Sequence, residues 1–396
     1  MTVLRFVAAV IAVVVVSAAS VAAISFGQLA QNVKTVALVG EKPGVPPALG
    51  SYDGGFNVLI VGSDTRVDQG GIGGTDDGGA LNDVTMLVHV SKDQTTAVAV
   101  SIPRDMVVPI PACPRKNGAG NYSAMSALPI NNSLAYGGLA CTVLTVEKLT
   151  GLDIPFAALI TFQGVIQMST AVGGVPVCVN GAFHDRYSGL NLPKAGTYSL
   201  TGADALAFLR SRHGVGDGSD LGRISSQQVF LSSLVRTVKS DSTLTDFTKL
   251  YGIATAAAES MTLSNSLTNV NTMVSLALVL RGIPLARITF VQYPGTTGEG
   301  GVYQGKVAPS KPVAKVLFDK IRADIPFTLD SGTGVGSVQD PHAPATTTPT
   351  PSVSGSPSPS TSPSPGGASD GADASPALPG VLGQTAADYT CSKVNN

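Results

Sequence analysis

Short apolar runs alternate along this chain with longer stretches whose apolar positions recur every three or four residues. The runs at Phe56–Val61, Thr85–His89, Thr96–Ser101, Val175–Val179 and Ile288–Val291 predict strands. Helices are predicted near Ser133–Leu149, Phe156–Thr170, Gly202–Arg210, Ser225–Val238, Leu267–Arg281 and Pro312–Arg322. Thr201 is placed to cap the helix at Gly202. Strands and helices interleave, which predicts an α/β class. Ser91-Lys-Asp-Gln joins two of the strands as a hairpin-like connection. The expected central sheet is therefore mixed, partly antiparallel and flanked by helices.

Residues 6–27 carry no charge and are long enough to cross a bilayer core as one helix. They are read as an uncleaved transmembrane signal-anchor behind a short cytoplasmic tail, residues 1–5. The expected location is a single-pass cell-membrane protein with its catalytic domain outside the cytoplasm. Residues 28–54 read as a stalk and 55–330 as one folded domain. Residues 331–376, Pro/Ser/Thr-rich, read as an extended, disordered linker. Residues 377–396 form a short C-terminal segment with a small apolar patch and Cys391.

Net charge is −1, which gives no basic blanket for nucleic acid. Four cysteines without CxxC spacing fit an oxidising compartment rather than a metal site. Cys113 and Cys141 bracket a loop-rich stretch and are candidate partners. Cys178 lies in a strand-like run, where the simple reading is a buried thiol. A bridge from it to Cys391, tying the tail back to the domain, is the alternative.

Charged residues make up only 13% of the chain, yet arginines recur at the edges of apolar segments beside Asp, Gly or Pro. Arg66, Arg104, Arg210, Arg212 and Arg223 form this set. Guanidiniums are rigid, bidentate donors suited to phosphate groups. Each segment has a plainer reading as a turn or a structural ion pair, and only the set as a whole points to a gathered anion. Asp64 and Asp83 end two strand segments across a Gly/Asp-rich loop and are candidate oxygen ligands for a hard divalent ion. Asp76 and Asp77, inside that loop, are rivals. Pro103 stiffens the position before Arg104, and Asp105 is placed to orient that arginine. Arg223 and Gln227 stand four residues apart on one helix side. His213 reads as a loop residue. No P-loop and no Gly-x-Ser-x-Gly elbow occurs.

In their order, these segments resemble the LytR–CpsA–Psr family of bacterial cell-envelope proteins. The resemblance rests on Asn57–Arg66, Asp83–Leu87, Ser101–Asp105, Ile130-Asn131 with Tyr136-Gly-Gly138, Gly173-Gly-Val175, Arg210-Ser-Arg212 and Asp220–Gln228. It implies a phosphotransferase that moves a glycopolymer from a polyprenyl-pyrophosphate carrier to peptidoglycan as a phosphodiester, working at the membrane. It implies Mg2+ or Mn2+ on Asp64 and Asp83. It also implies pyrophosphate binding and catalysis by Arg104, Arg210, Arg212 and Arg223 with Asp105, and substrate binding by Arg66, Gln227, Asn131 and Tyr136. Pro129 and Ser226 depart from the basic residues common at those places, which removes positive charge near the expected site. Apolar residues in Ile154–Ile166 and Leu231–Val235 are candidates to line a lipid groove, although most of them are core. A lipid pyrophosphate phosphatase and a non-enzymatic binding protein are the competing readings.

Overall fold

The computed structural model describes residues 33–41, 52–65, 80–115, 118–244, 246–329, 332–344 and 377–395. The N-terminal strands are β1 (Lys34–Val36), β2 (Phe56–Ser63), β3 (Asn82–Val90), β4 (Ala97–Ile102), β5 (Val107–Ile110) and β6 (Met125–Pro129). Helix α1 (Asn132–Thr150) follows, then β7 (Phe156–Ile160), α2 (Phe162–Val172) and β8 (Val175–Val179). A hairpin of β9 (Phe183–Asp185) and β10 (Leu190–Leu192) leads to β11 (Gly196–Leu200), α3 (Gly202–Arg210) and α4 (Asp220–Lys239). The rest comprises α5 (Phe247–Ser260), β12 (Met261–Ser264), α6 (Val270–Gly282), β13 (Ile288–Gln292), α7 (Lys311–Arg322), β14 (Ser337–Gln339), β15 (Gly383–Thr385) and β16 (Thr390–Ser392).

Eight strands form the central sheet in the order β1-β12-β7-β2-β3-β4-β13-β15. Pairings β2–β3 and β3–β4 are antiparallel, while β2–β7 and β4–β13 are parallel, so the sheet is mixed as expected. Alternation along β2 sends Leu59 and Val61 to one face and Phe56 to the other. The first face packs under α1 and α7, the second under α6. Both faces are covered, which explains why the central strands are apolar at nearly every position.

The stretch expected as a helix from Phe156 to Thr170 divides into β7 and α2. Phe156-Ala-Ala-Leu-Ile is too short and too uniformly apolar for periodicity to tell strand from helix, and pairing with β2 decides it. Thr161 then caps α2 by accepting from Gly164 N at 3.2 Å. Thr201 precedes α3 with extended backbone but makes no side-chain cap; its hydroxyl donates to Thr170 Oγ1 instead.

A smaller sheet runs β11-β8-β16-β14. Its strand β16 is stapled to β8 by Cys178–Cys391, and Cys113–Cys141 closes a second bridge. Cys178 is thus no free thiol. The C-terminal segment also adds β15 to the edge of the central sheet. The other bridge explains Gly137 and Gly138. Gly138 has φ +69°, and a Cβ on Gly137 would fall 3.0 Å or less from the Cβ atoms of Cys113 and Cys141.

The membrane anchor needs correction. Residues 6–27 lie outside the described residues, and among the described residues no helix is long and apolar enough to cross a membrane. The two longest helices there, α1 and α4, are charged: α1 carries Glu147 and Lys148, and α4 carries Asp220, Arg223, Arg236 and Lys239. Among the described residues, no spanning helix stands behind the signal-anchor or the single-pass membrane location expected from it.

Candidate functional site: an arginine-lined cavity beside an apolar one

The site forms where β2, β3 and β4 end against the start of α4. At the β2–β3 end the register shifts: Gly62 pairs with Val84 and Ser63 with Asn82, so Asp83 is the extra residue of a bulge. Bulges re-aim side chains, and this one turns Asp83 toward the arginines. Gly62 stays in the strand, where a Cβ would approach Val84 Cβ to 3.1 Å. Asp64 follows β2 and exchanges two bonds with Leu81: its amide donates to Leu81 O at 3.0 Å, and its Oδ1 accepts from Leu81 N at 2.7 Å. This closes the base of the connecting loop and sets Asp64 and Asp83 at adjoining strand ends. Arg66, Asp76 and Asp77 fall in that loop, outside the described residues.

Arg104 follows β4 and Pro103. Its guanidinium pairs closely with Asp83, and its amide donates to Asp220 Oδ2 at 3.0 Å. Burial works against the Arg104 charge, but Asp83, Asp220 and Asp105 outweigh it and hold the group above its ordinary pKa. Asp105, expected to orient Arg104, is shared among three cations. It stands 3.9 Å from Arg104 Nε, 3.8 Å from Arg212 Nη1 and 3.3 Å from Lys306 Nζ.

Ser219 caps α4, and the first turn of that helix supplies Asp220 and Arg223, both 3% exposed. Arg223 Nη2 lies 2.7 Å from Asp220 Oδ1 and donates to Asp83 O at 2.9 Å. Gln227, one turn on, donates to Leu209 O at 2.8 Å and ties α4 to α3. Arg210 ends α3 and stacks over Phe162 at 4.4 Å. Arg212 follows an extended Ser211 and donates from Nε to Gly218 O at 3.0 Å.

These elements bound a cavity of ≈ 220 Å³ lined by Asp83, Arg104, Arg210, Arg212 and Arg223. Asp185, Tyr187, Ser188 and His213 complete its wall. An apolar cavity of ≈ 140 Å³ shares Asp83, Arg210 and Arg223 with it and is walled by Ile160, Phe162, Val165, Leu206, Leu209 and Leu231. Both candidate lipid-lining segments contribute to it. The pair of cavities thus joins a phosphate-sized cationic site to an oily recess.

Two expected site residues stand apart from the cavity walls. Asn131 acts through its backbone: its amide donates to Arg104 O and its carbonyl accepts from Asn82 N, both at 3.2 Å, which locks Arg104 to the start of β3. Tyr136 packs beside the Cys113–Cys141 bridge, edge-on to Tyr122 at 5.7 Å. Ser226, expected to affect charge near the site, turns away from it and meets Ser392 of the C-terminal strand.

Sequence reasoning missed Asp185 and Lys306. Asp185 is 2% exposed and accepts from four amides, those of Tyr187, Ser188, Arg212 and Gly214. Burial pushes its pKa up, but the four bonds win and hold it below the usual carboxylate value. Asp185-Arg-Tyr-Ser-Gly189 carries an Asx-turn signature that marks a turn, though nothing local shows that the same carboxylate also grips Arg212. Lys306 has no sequence signal. His213, expected as a plain loop residue, lies in the cavity wall with its ring 4.5 Å from that of Tyr187.

A mixed sheet with an arginine-lined cavity at its strand ends defines a class, and comparison with known proteins gives its name. The chain belongs to the LytR_cpsA_psr family, whose model matches residues 13–317. It is 32% identical over 272 residues to the cell wall biosynthesis protein LcpA of Corynebacterium glutamicum, covering 63% of this chain and 51% of LcpA. It is 29% identical over 256 residues to TagT of Bacillus subtilis, a polyisoprenyl-teichoic acid–peptidoglycan teichoic acid transferase, covering 61% of this chain and 71% of TagT. The LytR-Csp2A-Psr enzyme of Actinomyces oris shares the fold at a TM-score of 0.54 and 21% identity, over 73% of this chain and 96% of that one. The chain spans about half the length of LcpA.

Proposed function

We propose that this protein transfers a glycopolymer from a polyprenyl-pyrophosphate carrier to a peptidoglycan hydroxyl. The observation that carries the reading is the sharing of Asp83, Arg210 and Arg223 between the cationic and apolar cavities. A lipid pyrophosphate has this two-part chemistry: a dense negative charge joined to an apolar tail. In the reaction, the acceptor oxygen bonds to the phosphorus that carries the glycan. The bond from that phosphorus to the bridging oxygen breaks, and polyprenyl phosphate leaves. The acceptor loses its proton to a carboxylate; Asp83, in the cavity wall, and Asp105, 3.9 Å from Arg104 and 3.8 Å from Arg212, are the two candidates, because Asp185 is committed to four amides. Arg104, Arg210, Arg212 and Arg223 offset the charge that gathers on the bridging and leaving oxygens.

Asp64 and Asp83, at adjoining strand ends, are the residues that would offer hard oxygen donors to Mg2+ or Mn2+. When bound there, it would neutralise pyrophosphate charge alongside the arginines. The relatives support the reading through TagT, whose name states a transfer from a polyisoprenyl carrier to peptidoglycan.

The test uses the full chain, a synthetic polyprenyl-pyrophosphate glycan and a peptidoglycan oligomer, with products followed by mass spectrometry. A mass gain on the acceptor that needs Mg2+ and disappears in Arg210→Ala is expected. Carrier cleavage with no tagged acceptor would make the protein a hydrolase. Carrier binding without turnover would make it a binding protein.

A further inference from the structure

A larger cavity, ≈ 380 Å³, opens a short way along the chain from the arginines. The segment from Lys306 to Pro309 links the two: Lys306 holds Asp105, Val307 bridges to Met106, and Pro309 lines the larger cavity. Three extended residues cover about 10 Å. The walls of this cavity come from the last turn of α1, from Tyr293 beyond β13, and from one side of α7.

Its chemistry is uneven in an informative way. Asp319 pairs with both Lys315, at 2.5 Å, and Arg322, at 2.9 Å, and Arg322 also donates to Thr150 O. Those two cations are spoken for. Lys148 and Lys311 line the same cavity and have no ion-pair partner among the described residues, so the cavity is left positive. Tyr293 is 3% exposed and lines the cavity. Burial pushes its pKa up to about 12, so it remains a neutral donor. Its hydroxyl can donate to a ligand oxygen in the cavity. Phe318, packed on Tyr293 with ring centroids 5.5 Å apart, adds an apolar wall.

We propose that this cavity is the acceptor subsite and takes a carboxylate-bearing saccharide, with its carboxylates on Lys148 and Lys311 and a hydroxyl or carbonyl oxygen on the Tyr293 hydroxyl. The assignment rests on the transferase reading above and names where its second substrate sits. Pro309 lies about 10 Å along the extended chain from Lys306, whose partner Asp105 stands 3.9 Å from Arg104 and 3.8 Å from Arg212, so an acceptor whose charged part anchors here can present a sugar hydroxyl toward the arginines. A site fixed by charge-assisted bonds selects acidic acceptors over neutral ones.

Titration calorimetry tests this on the full chain with no carrier present. The probes are a soluble peptidoglycan oligomer with free carboxylates and the same oligomer with its carboxylates amidated. The free-acid oligomer is expected to bind roughly tenfold more weakly to the Lys148→Gln/Lys311→Gln variant than to the unmodified chain. Tyr293→Phe, which keeps the ring packing, is expected to weaken it several-fold. The amidated oligomer should bind the unmodified chain about as weakly as the free acid binds the double variant. Equal affinity of the unmodified chain for the two oligomers overturns the proposal, as does equal affinity of the two proteins for the free acid. Transfer assays on the same preparations separate the two readings. Acceptor binding that depends on the lysines, without any transfer, keeps the subsite and removes the transferase. Transfer with an unchanged acceptor KM in the double variant keeps the transferase and removes the subsite.

Discussion

Ser226 Oγ, one residue before Gln227 on α4, lies 2.8 Å from Ser392 Oγ on the C-terminal strand, and both side chains are buried. The helix that supplies Arg223 is thus backed by the end of the chain. Lys393 O accepts from Gly216 N at 2.8 Å, and Asn395 Nδ2 donates to His213 O at 3.0 Å, so the loop that follows Arg212 is held from behind as well. The segment before β14 presses on the first turn of α4 so closely that a Cβ on Gly336 would lie 1.9 Å from Gly222 O.

Opening Cys178–Cys391 should therefore act on stability and on the site together. The bridge closes a sequence separation of 213 residues, and its loss in Cys391→Ser is expected to cost about 2–5 kcal/mol. Thermal unfolding with and without reductant measures this, and carrier affinity should fall in parallel as the Arg212 loop loosens. A melting temperature indifferent to reductant would count against the buttress.

The arginines should separate into structural and exposed members. Arg223→Ala leaves the buried Asp220 without its close cation and is expected to destabilise the fold by about 3–5 kcal/mol. The Arg212 side chain is 36% exposed, so Arg212→Ala should cost at most about 1 kcal/mol while turnover drops about 10²- to 10³-fold. Urea unfolding beside turnover distinguishes the two. Equal stability losses would place Arg212 among the supports.

Asp185 gives an acid limb of known sign. Its folded pKa is depressed, so its contribution is fully present above the unfolded value of about 3.9 and is lost as pH falls through the lower folded value. Asp185→Asn should be less stable at neutral pH, because its amide nitrogen cannot accept from the four amides, and it should show a flatter loss of stability on acidification. Denaturant midpoints from pH 7 down to about 3 check both effects. A parallel pH dependence in the two proteins would refute the assignment.

The apolar cavity makes a prediction about tail length. Val165→Trp puts a large ring into a recess of ≈ 140 Å³. It is expected to raise KM roughly tenfold for a long polyprenyl carrier and to spare a carrier shortened to one or two isoprene units. Equal effects on both carriers would remove the tail from this cavity.

The sequence by itself determined most of the local structure. Apolar runs at Phe56, Thr85, Thr96 and Ile288 marked strands because these positions are buried by a sheet covered on both sides, while the run at Val175 marked a strand of the smaller sheet whose positions alternate in burial. The arginines and acids that meet at the site were legible as chemistry, since guanidiniums beside glycine, proline and aspartate in a weakly charged chain are unusual. Tertiary structure decided what contact alone can decide. Phe156–Ile160 became a strand because β2 was there to pair with it. Asp83 gained its aim from a bulge that depends on the register of two strands. Ser226 and Tyr136 were taken from the expected site by partners distant in sequence or bridged by a disulfide, Ser392 and the Cys113–Cys141 pair. Asp185 joined the site because a turn-forming carboxylate also caught the amides of Arg212 and Gly214, a coincidence in space that no spacing along the chain records.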